Sequence, residues 1–376
     1  MTGRRGHGEG SIYKRSDGRW AATIDLGWNE GKRKRKTVYG KTRRDVAQQL
    51  TKLQHDAARG LAIIDDKRLL GDFLDSWLSD VVKPTTRIRT HEAAESIVRT
   101  HIKPTLGQRP IGKLRAPQIQ RLLAEKTSQG LRPRTVELIW STLRRALRVA
   151  VKQGVIVVNP ADAVTPPRPV RKDVDVFNLD EVRKLLAMAR DEHHGVAFTL
   201  ALTTGMRRGE LLGLKWANVD LDAGTLRVTA SLQRIGSRLV EGEPKSDKSR
   251  RTIRLPRTTV EALRVHRASQ AKCRLRAGER WRDTDYVVST DLGGPVEPTN
   301  LLRDWKLLLD RAGIDRRALH VARHSAASLL LSEGVPLKTV QEVLGHSTIR
   351  LTADTYGHLM PGDDERAADA MDRAVG

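Results

Sequence analysis

Between Trp20 and Leu26 apolar and polar positions alternate, with Trp20, Ala22, Ile24 and Leu26 on one face, the period of a half-buried strand. Asn29-Glu30-Gly31 follows as a turn signal, and Lys32 to Tyr39 reads as a further strand carrying Lys32, Arg33, Lys34, Arg35 and Lys36. Thr42 stands at an N-cap position, so a helix is predicted from Arg43 to about Ala58, ended by Gly60. The first segment is a small three-stranded sheet plus one helix.

From Leu69 to about Gly154 the period is helical throughout. Leu70, Phe73, Leu74, Trp77, Leu78 and Val81 recur at the spacing of one buried helix face. A second helix is predicted over Thr90–His101, a third after Pro117 and a fourth from Arg134 to Gln153. The fourth buries Val136, Ile139, Trp140, Leu143, Leu147 and Val151, and Gly154 caps it. Asn159-Pro160 with Pro166, Pro167 and Pro169 then reads as an extended, rigid linker. Near Val176 a new domain opens, where Asn178-Leu179-Asp180-Glu181 has the form of a capping box. Helices continue to about Leu214, a strand-rich stretch spans Gly224 to Leu255, and helices resume to the C-terminus. The fold class is multidomain α+β: sheet plus helix, then an all-helical block, then a mostly helical domain with a small antiparallel sheet.

Charge changes the picture. Lys+Arg number 68 against 45 Asp+Glu, a formal net charge of +23. Such a surplus predicts a large polyanionic partner, nucleic acid before others. Residues 1–60 hold 15 Lys/Arg against 6 Asp/Glu, a local +9. Cys273 is the one cysteine, which excludes an intramolecular disulfide framework and a Cys-rich zinc module and fits a reducing compartment. The basic start leads into no apolar h-region, and no apolar run approaches the roughly 18 residues of a membrane helix. A soluble, cytosolic, nucleic-acid-binding protein is the expectation.

Common catalytic engines are missing. Gly40-Lys41-Thr42 has the tail of a P-loop, but Arg35 stands where its first glycine belongs. His320 and His324 have the spacing of a helical zinc pair, yet Val321 replaces the metalloprotease glutamate and Arg323 opposes a cation. Instead, the last domain carries short polar frames: Thr204-Gly205-Met206-Arg207-Arg208-Gly209-Glu210-Leu211-Leu212-Gly213-Leu214; Lys245 in Pro244-Lys245-Ser246-Asp247-Lys248; His320-Val321-Ala322-Arg323-His324-Ser325; Leu344-Gly345-His346-Ser347; and Tyr356 in Asp354-Thr355-Tyr356-Gly357-His358.

In this order the frames resemble the catalytic motifs of the tyrosine recombinases, the phage integrase family. The helical block resembles that family's core-binding domain, and the basic sheet plus helix its arm-type DNA-binding domain. The resemblance implies domains at 1–62 (arm-binding), 66–158 (core-binding), 175–360 (catalytic) and 361–376 (tail), with a linker at 159–174. It also implies that the core-binding and catalytic domains clamp DNA as a C.

The roles it implies are these. Arg207 and Arg323 clamp the scissile phosphate, Lys245 is general acid to the leaving 5′ oxygen, and His320 assists proton transfer. His346 donates a hydrogen bond to the phosphate, Tyr356 is the nucleophile and Glu210 supports the scaffold. Val321-Ala322 departs from the Asp-Leu often found inside His-x-x-Arg and leaves the contacts around it open. The implied activity is site-specific integration and excision of a mobile element through a covalent 3′-phosphotyrosyl link, independent of metal, ATP and other cofactors.

Implied partners are double-stranded DNA with core-type and arm-type sites, a homotetramer on DNA, a host DNA-bending factor and a directionality protein, in the bacterial cytoplasm. A type IB-like topoisomerase shares the chemistry but needs no separate N-terminal module. A catalytically dead DNA-binding regulator needs no complete set of catalytic frames.

The surroundings of each residue predict more. The polar frame of Tyr356 suits an exposed loop or helix end, whereas Tyr286, before Val287-Val288, suits the edge of a core strand. Lys248 lies three residues from Lys245 and could serve in its place. Arg33, Lys34, Arg35 and Lys36 read as phosphate contacts, against a plain role in blunting a strand edge. The segment from Pro361 to Gly376 has five acidic residues against two arginines, a local −3, with a small apolar face (Ala367, Ala370, Met371, Ala374) suited to a protein partner.

Overall fold

The computed structural model describes residues 10–29, 32–58, 68–167, 175–243, 250–356 and 364–375. The chain divides into two compact units, Met1–Arg171 and Lys172–Gly376.

In the first unit, strands β1 (Ser11–Lys14), β2 (Trp20–Asn29) and β3 (Lys32–Gly40) form an antiparallel sheet in the order β1-β2-β3. Ala22 pairs with Val38 and Ile24 with Lys36, and the register shifts between Asp25 and Trp28. Helix α1 (Arg43–Ala58) closes one face, and Ala22, Ile24, Val46 and Leu50 make the small core. Its start is a reciprocal cap: Asp45 N–H donates to the Thr42 hydroxyl, and Thr42 N–H donates to the Asp45 carboxylate. Gly60, expected to end this helix, lies outside the described residues, as does the Leu26 side chain.

The same unit holds a helical block: α2 (Leu70–Trp77), the short turn α3 (Lys83–Thr85), α4 (Ile88–Ile97), α5 (Lys103–Leu106), α6 (Ala116–Ser128) and α7 (Pro133–Lys152). Phe73, Leu74, Trp77, Val98, Ile102, Ile119, Val136, Ile139, Leu143 and Leu147 are buried together. Trp140 and Val151, expected inside, are only partly buried, and Ala146 and Ala150 take the fully buried positions.

Periodicity missed two local features. Leu78–Val82 and Val98–Ile102 are π-helical turns, each running into a Lys-Pro-Thr sequence. Pro84 and Pro104 lack an N–H and would crowd the carbonyl four residues back. The wider turn relieves this, with Lys83 N–H donating to Leu78 O and Lys103 N–H to Val98 O. The helix expected over Thr90–His101 therefore begins earlier and changes pitch at Val98.

Asn159–Val164, expected to open an extended, rigid linker, packs into this block instead. Asn159 caps a 3₁₀ turn (Pro160–Ala163) through Ala161 N–H, and the Trp140 indole N–H donates to Ala161 O at 3.0 Å.

The second unit runs α8 (Leu179–Ala189), α9 (Gly195–Thr204), α10 (Arg208–Leu212), β4 (Val219–Asp220), β5 (Thr225–Val228), β6 (Ser231–Ile235), β7 (Arg238–Gly242), β8 (Arg251–Arg254), α11 (Arg257–Ala277), α12 (Pro298–Ala312), α13 (Leu319–Ser332), α14 (Leu337–Leu344), α15 (Ile349–Tyr356) and α16 (Asp364–Val375). The strands form an antiparallel sheet β4-β5-β8 and a hairpin β6-β7. Apart from half-buried Thr203, α9 is buried all round, the mark of a central helix. Phe177, Leu185, Phe198, Leu212, Val287, Trp305 and Ala322 belong to the core about it. The expected capping box at α8 forms, with Asn178 and Glu181 bonded reciprocally at 2.8 Å. Among the described residues no helix is long and apolar enough to cross a membrane.

Candidate active site

The site begins where α9 ends. Gly205 takes a left-handed conformation (φ +63°), and a Cβ there would lie 2.6 Å from Leu344 Cδ2, so glycine is required. The turn delivers Arg207 to the N-cap of α10. Its backbone N–H donates to Glu210 Oε2 at 3.0 Å, its Nη1 to Glu210 Oε1 at 2.7 Å and its Nη2 to Gly345 O at 3.0 Å.

Glu210, 3% exposed, also accepts from Arg251 Nη2 at 3.0 Å, and Arg251 Nε donates to Val343 O. Burial alone would raise the carboxyl pKa of Glu210. The charges and hydrogen bonds of Arg251 and Arg207 outweigh it and hold the group below its ordinary value.

Arg323, on the second turn of α13, is 2% exposed. Its Nη1 donates to Gly205 O at 2.6 Å and its Nη2 to Leu344 O at 2.8 Å, tying together the ends of α9 and α14. Burial and the neighbouring charge of Arg207 lower its pKa to about 9, so it remains a cation at neutral pH.

His346 follows Gly345, which caps α14 with φ +65°. Its Nδ1 meets the Thr352 hydroxyl at 2.9 Å. Burial, then Arg323 and Arg207, push its pKa down to about 3, so the ring is neutral. His320, at the start of α13, keeps an exposed side; desolvation of its ring and the charges of His324, Arg323 and Arg207 lower its pKa to about 4.

Tyr356 ends α15 as a helix-terminal residue, but the expected exposure is wrong. It is 1% exposed, packed among Ala327, Leu331, Val340 and Leu344. The polar frame around it in sequence gave no sign of this burial, which comes from residues of α13 and α14. Its Oη lies 2.6 Å from His324 Nδ1. Burial pushes the phenol up to about 12 against the opposing field of Arg323.

Arg207, Glu210, Arg323 and His346 are thus brought together, with His320 beside His324 (ring centroids 4.8 Å apart) and Tyr356 behind it. Lys245 and Lys248 lie outside the described residues. Tyr286 stands elsewhere, donating to Glu241 Oε2 at 2.6 Å, and burial with that carboxylate holds its phenol far above the usual range. On β3, Arg35 is exposed and Lys36 half-buried; the side chains of Arg33 and Lys34 lie outside the described residues. Among the described residues no group of three or more His, Cys, Asp and Glu could hold a metal ion.

Two site residues were given no role by the sequence: Arg251, outside every frame, and His324, which stands inside the His320–Ser325 frame. Arg251 carried a signal: alternation along β8 puts it on the face of Ile253, and a guanidinium on a buried face needs a partner. His324 lies one helical turn from His320, and pairing with a tyrosine 32 positions away leaves no local mark.

Guanidiniums gathered round a buried carboxylate, with histidines and a tyrosine at their edge, define an anion-handling site in a strongly basic protein. Comparison with known proteins gives it a family. The phage integrase family matches residues 175–362, and the phage integrase N-terminal SAM-like domain matches residues 69–126. A tyrosine recombinase XerC-like protein of Caldanaerobacter subterraneus subsp. tengcongensis is 32% identical over 372 residues, covering 94% of this chain and 95% of that one. Among solved structures, the Tn1549 transposon integrase in complex with a circular intermediate DNA superposes with a TM-score of 0.69 at 17% identity, over 82% of this chain and 100% of that one. The lambda integrase tetramer bound to a Holliday junction does so at 0.59 and 19% identity, over 96% and 97%. The chain belongs to the phage integrase family, the tyrosine-type site-specific recombinases, enzymes of DNA recombination.

Proposed function

We propose that this recombinase is an integrase that carries a mobile element into and out of DNA, with Tyr356 as nucleophile. The observation that carries the reading is the positive pocket. Arg207 and Arg323 are anchored by the carbonyls of Gly205, Leu344 and Gly345, and Arg323, His320 and His346 all have depressed pKa values. Burial is the larger cause of that depression, and the fixed charges of Arg207 and Arg323 add to it; those same fixed cations attract an anion. A phosphodiester under attack gathers negative charge on its non-bridging oxygens, and fixed guanidinium forks stabilise it there. If Thr352 donates to His346 Nδ1, the ring proton stays on Nε2, where it can donate to phosphate. Lys245 protonates the leaving 5′ oxygen and His320 assists.

Attack forms a 3′-phosphotyrosyl bond and conserves the phosphodiester energy, so resealing by a 5′ hydroxyl needs neither ATP nor metal. A nicked suicide duplex incubated with the protein should trap a covalent adduct, with the modified peptide containing Tyr356; no adduct at any tyrosine would count against the reading.

The division of labour follows the charge. Residues 1–62 bind arm-type sites through Arg33, Lys34, Arg35 and Lys36, the helical block from residue 66 on, with Asn159–Val164 packed into it, binds core sites, and residues 175–360 catalyse. Removing residues 1–60 is expected to weaken arm-site binding strongly and to flatten the salt dependence of what remains by about 0.9 in the log–log slope for each phosphate no longer neutralised. Core-site cleavage should survive. Anisotropy titrations over a salt series on both site types check this, and equal losses at both would mean the boundary is misplaced.

The Tn1549 structure holds circular-intermediate DNA and the lambda structure is a tetramer on a Holliday junction. On the same reading this chain assembles as a tetramer on paired sites in the bacterial cytoplasm, with a host bending factor and a directionality protein. The tail (361–376) supplies the contact. Helix α16 leaves Met371 61% and Val375 78% exposed, and so short a face binds only at the raised local concentration on DNA. Truncation after Met360 should spare single-site binding and reduce synapsis, scored as paired-site complexes on native gels. Recombination at the full-length rate would show the tail dispensable.

A further inference from the structure

We propose that His324 is a catalytic residue: through Nδ1 it holds the Tyr356 hydroxyl and takes its proton when that oxygen attacks phosphorus. The inference rests on the reading of Tyr356 as nucleophile and names the group that receives the phenol proton, leaving His320 to assist Lys245 at the leaving oxygen. The contact is 2.6 Å long and joins α13 to the end of α15 across 32 residues of sequence. Tyr356 is packed on its other sides by Ala327, Leu331, Val340 and Leu344, so its hydroxyl is directed by this ring.

The groups bearing on the imidazole are Arg323 and His320 from its own helix, Asp175 ahead of α8, His346 ahead of α15, and Tyr356 itself. Burial and Arg323 outweigh Asp175 and lower its pKa, so at neutral pH the ring is uncharged and Nδ1 can offer a lone pair. The phenol, pushed up to about 12, keeps its proton at rest and is the donor. Transfer ahead of attack is uphill between such groups. The proton therefore moves as the Oη–P bond forms, when the phenol oxygen loses its basicity; Arg323 favours negative charge on that oxygen beforehand.

The step balances. The Oη–P bond forms and the P–O5′ bond breaks; the phenol proton passes to His324 Nδ1, and the leaving O5′ is protonated by the separate acid, Lys245. On resealing the incoming 5′ hydroxyl gives its proton to that group, and His324 returns its own to Tyr356.

The test uses the full-length protein and single-turnover cleavage of a suicide duplex built from the junction sequence of the element's ends. His324→Asn keeps a polar atom near the Nδ1 position but cannot take a proton, and His324→Phe keeps the ring shape without nitrogen. Both should bind the site as wild type does and cleave about 10²–10⁴-fold more slowly. A 5′-bridging phosphorothiolate substrate, whose thiolate leaves without a proton, should not rescue either, whereas it should rescue Lys245→Ala. The wild-type rate should rise with pH and level off below 6.5, while the Asn variant keeps rising into the alkaline range of the phenol.

Wild-type rate and pH profile in His324→Asn would reduce the histidine to positioning and overturn the proposal. So would rescue of the His324 variants by the phosphorothiolate, since the histidine would then serve the leaving group. Should His324→Phe fail to fold, the Asn variant, checked by thermal melting, decides alone. An adduct that survives Tyr356→Phe sinks the nucleophile assignment instead, a separate outcome in the same assay.

Discussion

Tyr356→Phe is expected to abolish strand cleavage and the detergent-stable protein–DNA adduct, a loss of at least about 10⁴-fold, while site affinity stays within error of wild type. The size follows from what is removed. A nucleophile makes the bond that the rest of the site stabilises, and without it the remaining groups have no intermediate to act on. Affinity should persist because the arginines that meet phosphate are held by α9, α10 and α14, not by the phenol: Arg207 by Glu210 and Gly345, Arg323 by Gly205 and Leu344. Folding should be only mildly affected, since phenylalanine fills the same space among Ala327, Leu331, Val340 and Leu344. The missing hydrogen bond to His324 should cost about 1 kcal/mol. Adduct gels beside mobility-shift titrations measure both effects. A persistent adduct would leave Tyr286 to be considered, and its tie to Glu241 makes it a poor substitute.

Glu210→Ala should damage stability and catalysis together. The carboxylate is ion-paired with Arg207 at 2.7 Å and Arg251 at 3.0 Å and accepts the N-cap N–H of Arg207. Removing it leaves guanidiniums facing one another in a buried place, a loss of roughly 3–5 kcal/mol and, for a unit of this size, on the order of 10 °C in Tm. Arg207 loses the anchor that aims it, so cleavage falls even at temperatures where the variant is folded.

The pH dependence has a definite sign. The carboxyl pKa is depressed on folding, so the stabilisation is complete above the ordinary carboxylate value of 4.5 and is lost as pH falls through the lower folded value. Melts across the acid range should show a steep loss in wild type and a shallower one in Glu210→Ala. A variant melting within 2 °C of wild type, in the sense of the roughly 2–4 °C expected per kcal/mol, would refute the buried-anchor account.

The elements and the motif residues were legible for different reasons. The strand at Trp20–Leu26, the 3.6-residue period of Leu70–Trp77 and the cap at Asn178–Glu181 are local statements, and the backbone obeyed them, though Ala21, on the face expected to be polar, is buried as fully as Ala22. The π-helical turns escaped because hydrophobic spacing is nearly unchanged by one extra residue in a turn; the prolines at 84 and 104 were the readable cause. The packing of Asn159–Val164 escaped because Pro160 and the prolines at 166, 167 and 169 give the stretch the composition of a linker, whereas its anchors, Trp140 and Arg144, lie in the preceding helix.

By itself the sequence determined a basic, multidomain, sheet-then-helix chain and the residue types of an anion site, because charge, period and short frames are carried by neighbouring residues. Tertiary structure alone decided what surrounds each group. It buried Tyr356 against expectation, set Arg251 on Glu210 from 41 positions away and brought His324 to the phenol oxygen. Burial and charge proximity set proton affinities, and both depend on which distant elements pack together. Gly205 joins the two levels: the sequence supplies the glycine, and the fold, by bringing Leu344 within 2.6 Å of where a side chain would begin, supplies the reason for it.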